Sequence, residues 1–321
     1  MVAAFDSAQQ AFVAHRGFLW SIAYRMVGSA ADADDVVQDA FVRALERPPA
    51  RLDEPLRPWL TRVTMNLARD RLRARKRAGY VGPWLPAPIE HDPLAAELAE
   101  APELSPSARY DLRESASFAF LLALEALTPN QRAVLLMRDV LDASVEETAD
   151  VLGLSAANVK VQHHRARKRL ETYERTREAS AASRERSHET LARFLACLAS
   201  GDLDGLQELL ADDVRILSDG GGEFHAARVP VVGAAKAIRF LLNIRRWWSD
   251  GGNQAIKILN GEPAFVGEVP ATKPSYPSRI VTRIEVDGRG KIREIHSVLA
   301  TAKLGAVFRG DDAELTSRDG R

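Results

Sequence analysis

The 321-residue chain has a single cysteine, Cys197. That excludes a disulfide framework and a thiolate metal cluster, and its neighbours Phe194, Leu195 and Leu198 make it read as a buried, inert thiol. Residues 1–18 have no long apolar core of the kind a secretory signal needs. No apolar run approaches the roughly 20 residues that span a bilayer. The expectation is a cytoplasmic protein with no membrane contact. Net charge is also missing, with 44 basic residues against 44 acidic ones, and there is no internal repeat. Between residues 10 and 78 glycine occurs only at 17 and 28, a stretch that reads as helical.

The balanced charge hides a strong segregation. Residues 62–77 hold seven Arg or Lys against Asp70 alone. Residues 82–117 hold seven acids against Arg109 and Arg113, and residues 160–177 return to seven basic residues against Glu171 and Glu174. Two cationic segments joined by an acidic tether fit two surfaces for anionic ligands. The tether carries Pro83, Pro86, Pro88, Pro93, Pro102 and Pro106, which forbid long helices and predict an extended linker. With 46% apolar residues, the chain can bury two or three ordinary cores.

Residues 56–77 taken as one helix place Leu56, Leu60, Val63 and Leu67 on one side. Arg62, Arg69, Arg73 and Lys76 then fall within about 60° of one another opposite them, a ridge suited to phosphate neutralisation. A solvated Arg-rich face has the same pattern. Trp59 offers a plane on which a base could stack, or a core contact. In the preceding helix Ser29 and Asp32 resemble a capping box. Val36, Val37, Ala40, Phe41 and Ala44 form its inward side, and Asp32, Asp35, Asp39 and Glu46 an acidic face that suits a basic protein partner or plain solvent.

Residues 144–170 repeat the theme. Val145, Ala149 and Leu152 define a short helix that Gly153 ends, and Ser155 caps the next. Val159, Ala166, Leu170 and Tyr173 share one side of that second helix. Ala157, Val161, His164, Arg165 and Lys168 share the other, with Asn158 and Lys160 at its N-terminal edge. This is a helix-turn-helix pattern with a basic second helix. His163 falls in the inward phase and reads as a packed histidine.

Three stretches carry a family resemblance: GSAADADDVVQDAFVRALE, RPWLTRVTMNLARDRLRARKR and LTPNQRAVLLMRDVLDASVEETADVLGLSAANVKVQHHRARKRL. Together they resemble extracytoplasmic-function (ECF) sigma factors. Thr148 stands where an aliphatic residue is usual, and Val161-Gln162-His163 replaces a more common Ser-Arg-Leu type of run. From residue 187 the texture changes to a helix, Gly-rich turns and β-branched strands, such as Arg279–Val286 and residues 291–298 around Asp287-Gly288. The runs HETLARFLACLASGDLDGLQELLADDVRILSDGGG and VVGAAKAIRFL resemble a SnoaL-like domain of the nuclear-transport-factor-2-like superfamily. Sigma factors with that fusion carry three further motifs. They correspond here to Trp84-Leu85-Pro86-Ala87-Pro88, to Asp219-Gly220-Gly221-Gly222 and, in degraded form, to Ala300-Thr301-Ala302-Lys303-Leu304.

The resemblance implies a multidomain fold: two all-α sigma domains (a region 2 helical bundle and a region 4 helix-turn-helix) and an α+β cone-shaped SnoaL-like domain. The boundaries are 8–78, a linker at 79–115, 116–175, 187–304 and a disordered tail at 305–321. It implies binding to core RNA polymerase, at the clamp and flap regions of its large subunits, and to promoter DNA. The clamp would be met by Asp32, Asp35, Gln38 and Asp39. The −10 element would be met by Trp59, Arg62, Asn66, Arg69, Arg73 and Lys76, and the −35 element by Ala157, Asn158, Lys160, Val161, His164, Arg165 and Lys168. It implies no catalysis, cofactor or metal, and regulation by the fused domain in place of a separate membrane anti-sigma factor.

The alternative reading is a helix-turn-helix regulator fused to a ligand-sensing or isomerase/cyclase-like domain. Asp213, Asp219, His225, Tyr276 and His296 are the residues available for acid–base chemistry in a cone cavity, and a small-molecule ligand there stays open. A dimeric transcription factor would leave residues 10–78 without a task. Residues 219–222 read either as a tight turn or as a contact surface. Exposing the apolar pair Trp84 and Leu85 in a solvated tether is unfavourable. Residues 84–88 are therefore expected to dock near the glycine loop, with Trp84, Leu85, Pro86, Pro88, Asp219, Gly220, Gly221, Gly222, Lys303 and Leu304 forming the regulatory contact.

Overall fold

The computed structural model describes residues 2–46, 56–90, 115–180, 184–245, 252–269 and 273–308. The chain forms two compact units, one from residues 1–79 and 91–174, the other from 80–90 and 175–321. No helix among the described residues is long and apolar enough to cross a membrane.

The first unit is all-helical. Helices α1 (Val2–Val27), α2 (Ala30–Glu46) and α3 (Leu56–Ala78) pack on one another. The break after α1 is made by Gly28 at φ 69°, and α2 begins with Ser29 Oγ accepting the Asp32 N–H at 3.3 Å. Val36, Val37, Ala40 and Ala44 are buried as the periodicity predicts, with Phe41 half-buried. The phase of α3 differs from expectation. Its buried stripe is Leu60, Thr61, Thr64, Met65, Ala68 and Leu72, whereas Val63 and Leu67 are half-buried. The reason is that α3 is packed on two sides, by α1 and α2 and by the later helices α5 and α6, so no single stripe describes it.

The second half of this unit contains α4 (Phe118–Leu124), α5 (Pro129–Leu135, continued by a π-helical turn at Leu136–Val140), α6 (Val145–Leu152) and α7 (Ala156–Ser180). Thr128 with Gln131, and Ser144 with Glu147, form reciprocal capping boxes that start α5 and α6. Gly153 ends α6 in the left-handed region at φ 64°, and Ser155 Oγ accepts the Asn158 N–H at 3.2 Å. The Thr148 hydroxyl donates to Ser144 O at 2.7 Å, so its polar group is satisfied inside the helix. His163 departs from the packed reading: it is half-buried, with Nε2 2.7 Å from Asp139 Oδ1.

The second unit is α+β. Helices α8 (Arg184–Ser200), α9 (Leu203–Leu209) and α10 (Ala234–Arg245) cover one face of a six-stranded sheet ordered β2-β1-β6-β5-β4-β3. The strands are β1 (Leu210–Asp219), β2 (Val231–Val232), β3 (Asn253–Leu259), β4 (Glu262–Glu268), β5 (Arg279–Val286) and β6 (Ile292–Val298). β1 runs parallel to β6 and the other pairs are antiparallel. Asn260 and Gly261, both at positive φ, turn β3 into β4, and Asp287 closes the β5–β6 hairpin by accepting the Arg289 and Lys291 N–H groups.

The helix-facing side of the sheet is an apolar core including Leu191, Phe194, Leu206, Val214, Ile284 and Ile295. A short α11 (Thr301–Leu304) follows β6. Residues 305–308 correct the expected tail boundary, because Val307 and Phe308 are buried and the Arg279 guanidinium lies 4.9 Å from the Phe308 ring centroid. Residues 309–321 fall outside the described residues.

Candidate nucleic-acid interface and linker latch

The two cationic helices stand in opposite situations. On α7 the predicted reading face is open: Ala157, Lys160, Val161, His164, Arg165 and Lys168 are exposed and Asn158 is half-buried. Along α3 the ridge is engaged by the second half of the same unit. The Asn66 amide donates to Val151 O at 3.4 Å, and Arg69 donates to Leu152 O at 3.0 Å, both at the end of α6. Arg73 donates to Asn130 Oδ1 at 3.0 Å and Lys76 to Leu127 O at 2.7 Å. Burial lowers the pKa of both Arg69 and Lys76. Arg62 remains exposed and Trp59 half-buried at the start of α3.

Beneath that ridge lies an ionic seam that residue spacing alone did not reveal. Arg132 of α5 is fully buried and donates to Met26 O at 2.8 Å, and Arg75 of α3 donates to Val27 O at 2.7 Å. These carbonyls end α1 and have no acceptor role left within the helix, so the two guanidiniums cap it. Both also hold Glu125, Arg75 at 2.6 Å and Arg132 more closely still. Burial opposes the Glu125 charge, but Arg132 and Arg75 outweigh it and hold its pKa below the usual carboxylate value. Arg25, also buried, donates to Ser115 Oγ at 2.8 Å. A clue existed in the sequence: Arg25 and Arg132 interrupt otherwise apolar helical runs.

On α2, Asp32 and Asp35 share Arg71, with Asp32 accepting from its Nε at 2.9 Å. Gln38 and Asp39 are exposed on the same face.

In the second unit the three motif segments meet around Asp219, whose side chain is fully buried. Oδ1 accepts the Tyr80 hydroxyl at 2.6 Å and the Gly221 N–H at 3.1 Å. Oδ2 accepts the Leu85 N–H at 2.7 Å and Lys303 Nζ at 2.6 Å. Lys303 donates as well to Leu85 O at 2.6 Å, and its ammonium lies 4.1 Å from the Trp84 ring centroid and 4.7 Å from that of Tyr80. Gly221 and Gly222 have φ 61° and 80°, and a Cβ on Gly221 would sit 2.9 Å from that of Ala300. Gly220, at ordinary φ, is tight against Ala226. Leu304 is buried beside this cluster.

Residues 85–89, including Pro86 and Pro88, are all buried. The segment is anchored again at the β3–β4 turn, where the Asn260 N–H donates to Ile89 O at 2.8 Å, the Ile89 N–H donates to Asn260 Oδ1 at 3.1 Å, and Lys257 pairs with Glu90 at 2.7 Å. Given the strand order, it crosses β6, β5 and β4 between its anchors. Tyr80 and Asn260 are anchors the sequence reading missed; Asn260-Gly261 carried a turn signal but nothing marked it as a partner for the linker.

The residues considered for acid–base chemistry do not converge on a cone cavity. Asp213 and His225 are exposed, His225 stacks edge-on to Tyr276 at 6.0 Å, and Asp219 is consumed by the latch. His296 pairs with Arg283 across β5 and β6, on the face opposite Ile284 and Ile295. It is 1% exposed, with Nε2 2.9 Å from Glu294 Oε2 and Nδ1 facing Arg283 at 3.5 Å. Burial lowers its pKa, with Arg283 adding to that and Glu294 opposing it. On the helix side of these strands the polar pair is Thr282 with Ser297, whose hydroxyls are 2.9 Å apart within the apolar core. Cys197 is half-buried rather than buried; desolvation first, and Asp202 next, push its thiol pKa up.

Comparison with known proteins bears on the family. Residues 11–78 match the family Sigma-70 region 2 and residues 117–170 match Sigma-70, region 4. The ECF RNA polymerase sigma factor SigJ of Mycobacterium tuberculosis is 35% identical over 263 residues, covering 78% of each chain. The probable ECF sigma factor SigI of the same species is 28% identical over 305 residues, 93% of this chain and 95% of that one. The crystal structure of SigJ superimposes with a TM-score of 0.65 at 30% identity, over 90% of this chain and 95% of that one. Two helical domains in this order, followed by an α+β domain along nearly the whole of a solved relative, identify the chain as a member of the ECF family of RNA polymerase sigma factors, with a C-terminal α+β domain.

Proposed function

We propose that this sigma factor meets the polymerase clamp through Asp32, Asp35, Gln38 and Asp39, reads the −10 region with α3 and the −35 element with the exposed face of α7. The SnoaL-like domain regulates it in cis by gripping the linker at residues 80–90. The single observation that carries the reading is the contrast between the two basic helices: α7 presents free cations, whereas Asn66, Arg69, Arg73 and Lys76 of α3 are hydrogen-bonded to the second half of the same unit. The two halves must separate before α3 can engage single-stranded promoter DNA.

Promoter-binding titrations test the α7 assignment. Arg165→Ala and Lys168→Ala are each expected to weaken −35 binding and to lower the salt dependence by about one phosphate contact. Unchanged affinity and slope in both variants would reject it. In vitro transcription with core polymerase, comparing the full chain with one ending at residue 180, tests the regulatory part. Equal initiation rates from the two proteins would exclude control by the fused domain.

A further inference from the structure

A cavity of about 740 Å³ opens where the two halves of the helical unit meet. Arg73 of α3 enters it from one side, and Arg165, Lys168 and Arg169 of α7 enter from the other. Asn130 and Gln162 add amide groups, and none of its lining residues is acidic or aromatic. Elsewhere along this junction each cation has an internal partner: Arg69 a carbonyl, Arg75 and Arg132 the Glu125 carboxylate, Lys76 a carbonyl. Around the cavity two of the four cations depart from the pattern. Arg165 and Lys168 have no hydrogen bond or ion pair among the described residues. Arg73 is ion-paired to Asp70 on its own helix and donates to Asn130 Oδ1, and Arg169 donates to Ala126 O and Gln131 Oε1.

We infer that this cavity binds a small phosphate-chain anion, a di- or triphosphate group, which bridges Arg73 to Arg165 and Lys168 and so clasps the two helical halves together. Four convergent cations, of which only Arg73 carries a carboxylate partner, Asp70, suit an anion with several oxygens at fixed spacing. The lack of any aromatic ring in the lining leaves nothing to stack a nucleobase, so the site reads the phosphates and ignores what they are attached to. An anion touching both halves binds this arrangement in preference to an opened one and shifts the population towards it. It would also compete with DNA for Arg165 and Lys168. The inference rests on the packing of the two halves and does not depend on the promoter assignments above.

Calorimetric titration of the full chain with sodium tripolyphosphate, and separately with ATP, in magnesium-free buffer of low ionic strength tests it without polymerase or promoter. Both ligands are expected to bind with affinities within about threefold of each other. Arg73→Ala and Lys168→Ala are each expected to weaken both by about tenfold. Asn130→Asp, which places a carboxylate in the cavity, is expected to abolish binding while far-ultraviolet circular dichroism and the melting temperature stay near wild type. A short random-sequence duplex titrated in parallel separates the two sources of phosphate: it is expected to respond to Lys168→Ala and not to Asn130→Asp. Tripolyphosphate binding that survives Arg73→Ala unchanged would show that only the α7 ridge is met, as by a duplex, and would overturn the bridging site. Absence of binding at millimolar tripolyphosphate would overturn it too.

Discussion

Asp219 gathers four donors, from two distant segments of chain and from its own loop, into a site closed to solvent. A buried carboxylate whose partners all favour its charged form is most costly to lose when a cation stays behind. Asp219→Asn is therefore expected to destabilise the second unit by about 3 to 5 kcal/mol in urea unfolding, because Lys303 keeps its buried charge without a counterion. Lys303→Met added to that variant is expected to recover part of the loss, the non-additivity expected of groups in direct contact. The Leu85 amide, whose acceptor is Asp219, is expected to exchange with deuterium much faster in Asp219→Asn than in wild type. A second residue acts through protons. His296 has its pKa lowered in the fold, so at neutral pH and above both folded and unfolded chains hold it uncharged and it is neutral for stability. As pH falls below the unfolded value of about 6.5, only the unfolded chain takes up the proton and stability drops until the folded value is reached. Melts of wild type and His296→Gln between pH 7.5 and about 5 check this: the wild type alone is expected to lose stability in that window.

At the level of elements, the seam formed by α1, α3, α4 and α5 depends on Glu125. Its folded pKa is depressed, so its contribution is complete above the ordinary carboxylate value of about 4.3 and is lost as pH falls through the folded one. Glu125→Gln is expected to loosen the two halves at neutral pH, and its difference from wild type to shrink at acid pH, where wild type too is protonated. Distance measurements between spin labels on α2 and α7 report on this. The periodicity and caps of these helices were legible in the sequence because they are local: Ser29, Thr128, Ser144, Gly153 and Ser155 each act within one turn. The face that α3 buries was not, because burial on two sides depends on contacts made 51 to 85 residues further along the chain. The same distinction separates the candidate sites. The cations of α7 could be placed from spacing, and the apolar pair Trp84 and Leu85 announced a docked linker. The partners of that linker at Tyr80 and Asn260, and the buried Arg132 that ends α1, come from pairs separated by more than a hundred residues, on which period and composition carry no information.

On the proposed assignments, one basic helix is presented to promoter DNA and the other is withheld. A disulfide locking α3 to α6, from Asn66→Cys and Val151→Cys in a Cys197→Ser background, is expected to abolish initiation at a cognate promoter under oxidising conditions, with recovery on reduction. Full activity of the oxidised, locked protein would show that α3 need not be freed. Because Cys197 is the sole native cysteine, its replacement leaves no competing thiol.

Helix α3 ends at Ala78 and the next anchored residue is Tyr80, leaving Gly79, at φ 74°, as the only link between them. One residue has two soft torsions and almost no slack. Two soft torsions let a twist of α3 dissipate at Gly79, so the joint limits how far Tyr80 can stray from the helix end and leaves its direction open. Lengthening it by a few glycines would relax that reach while leaving both anchors as they are.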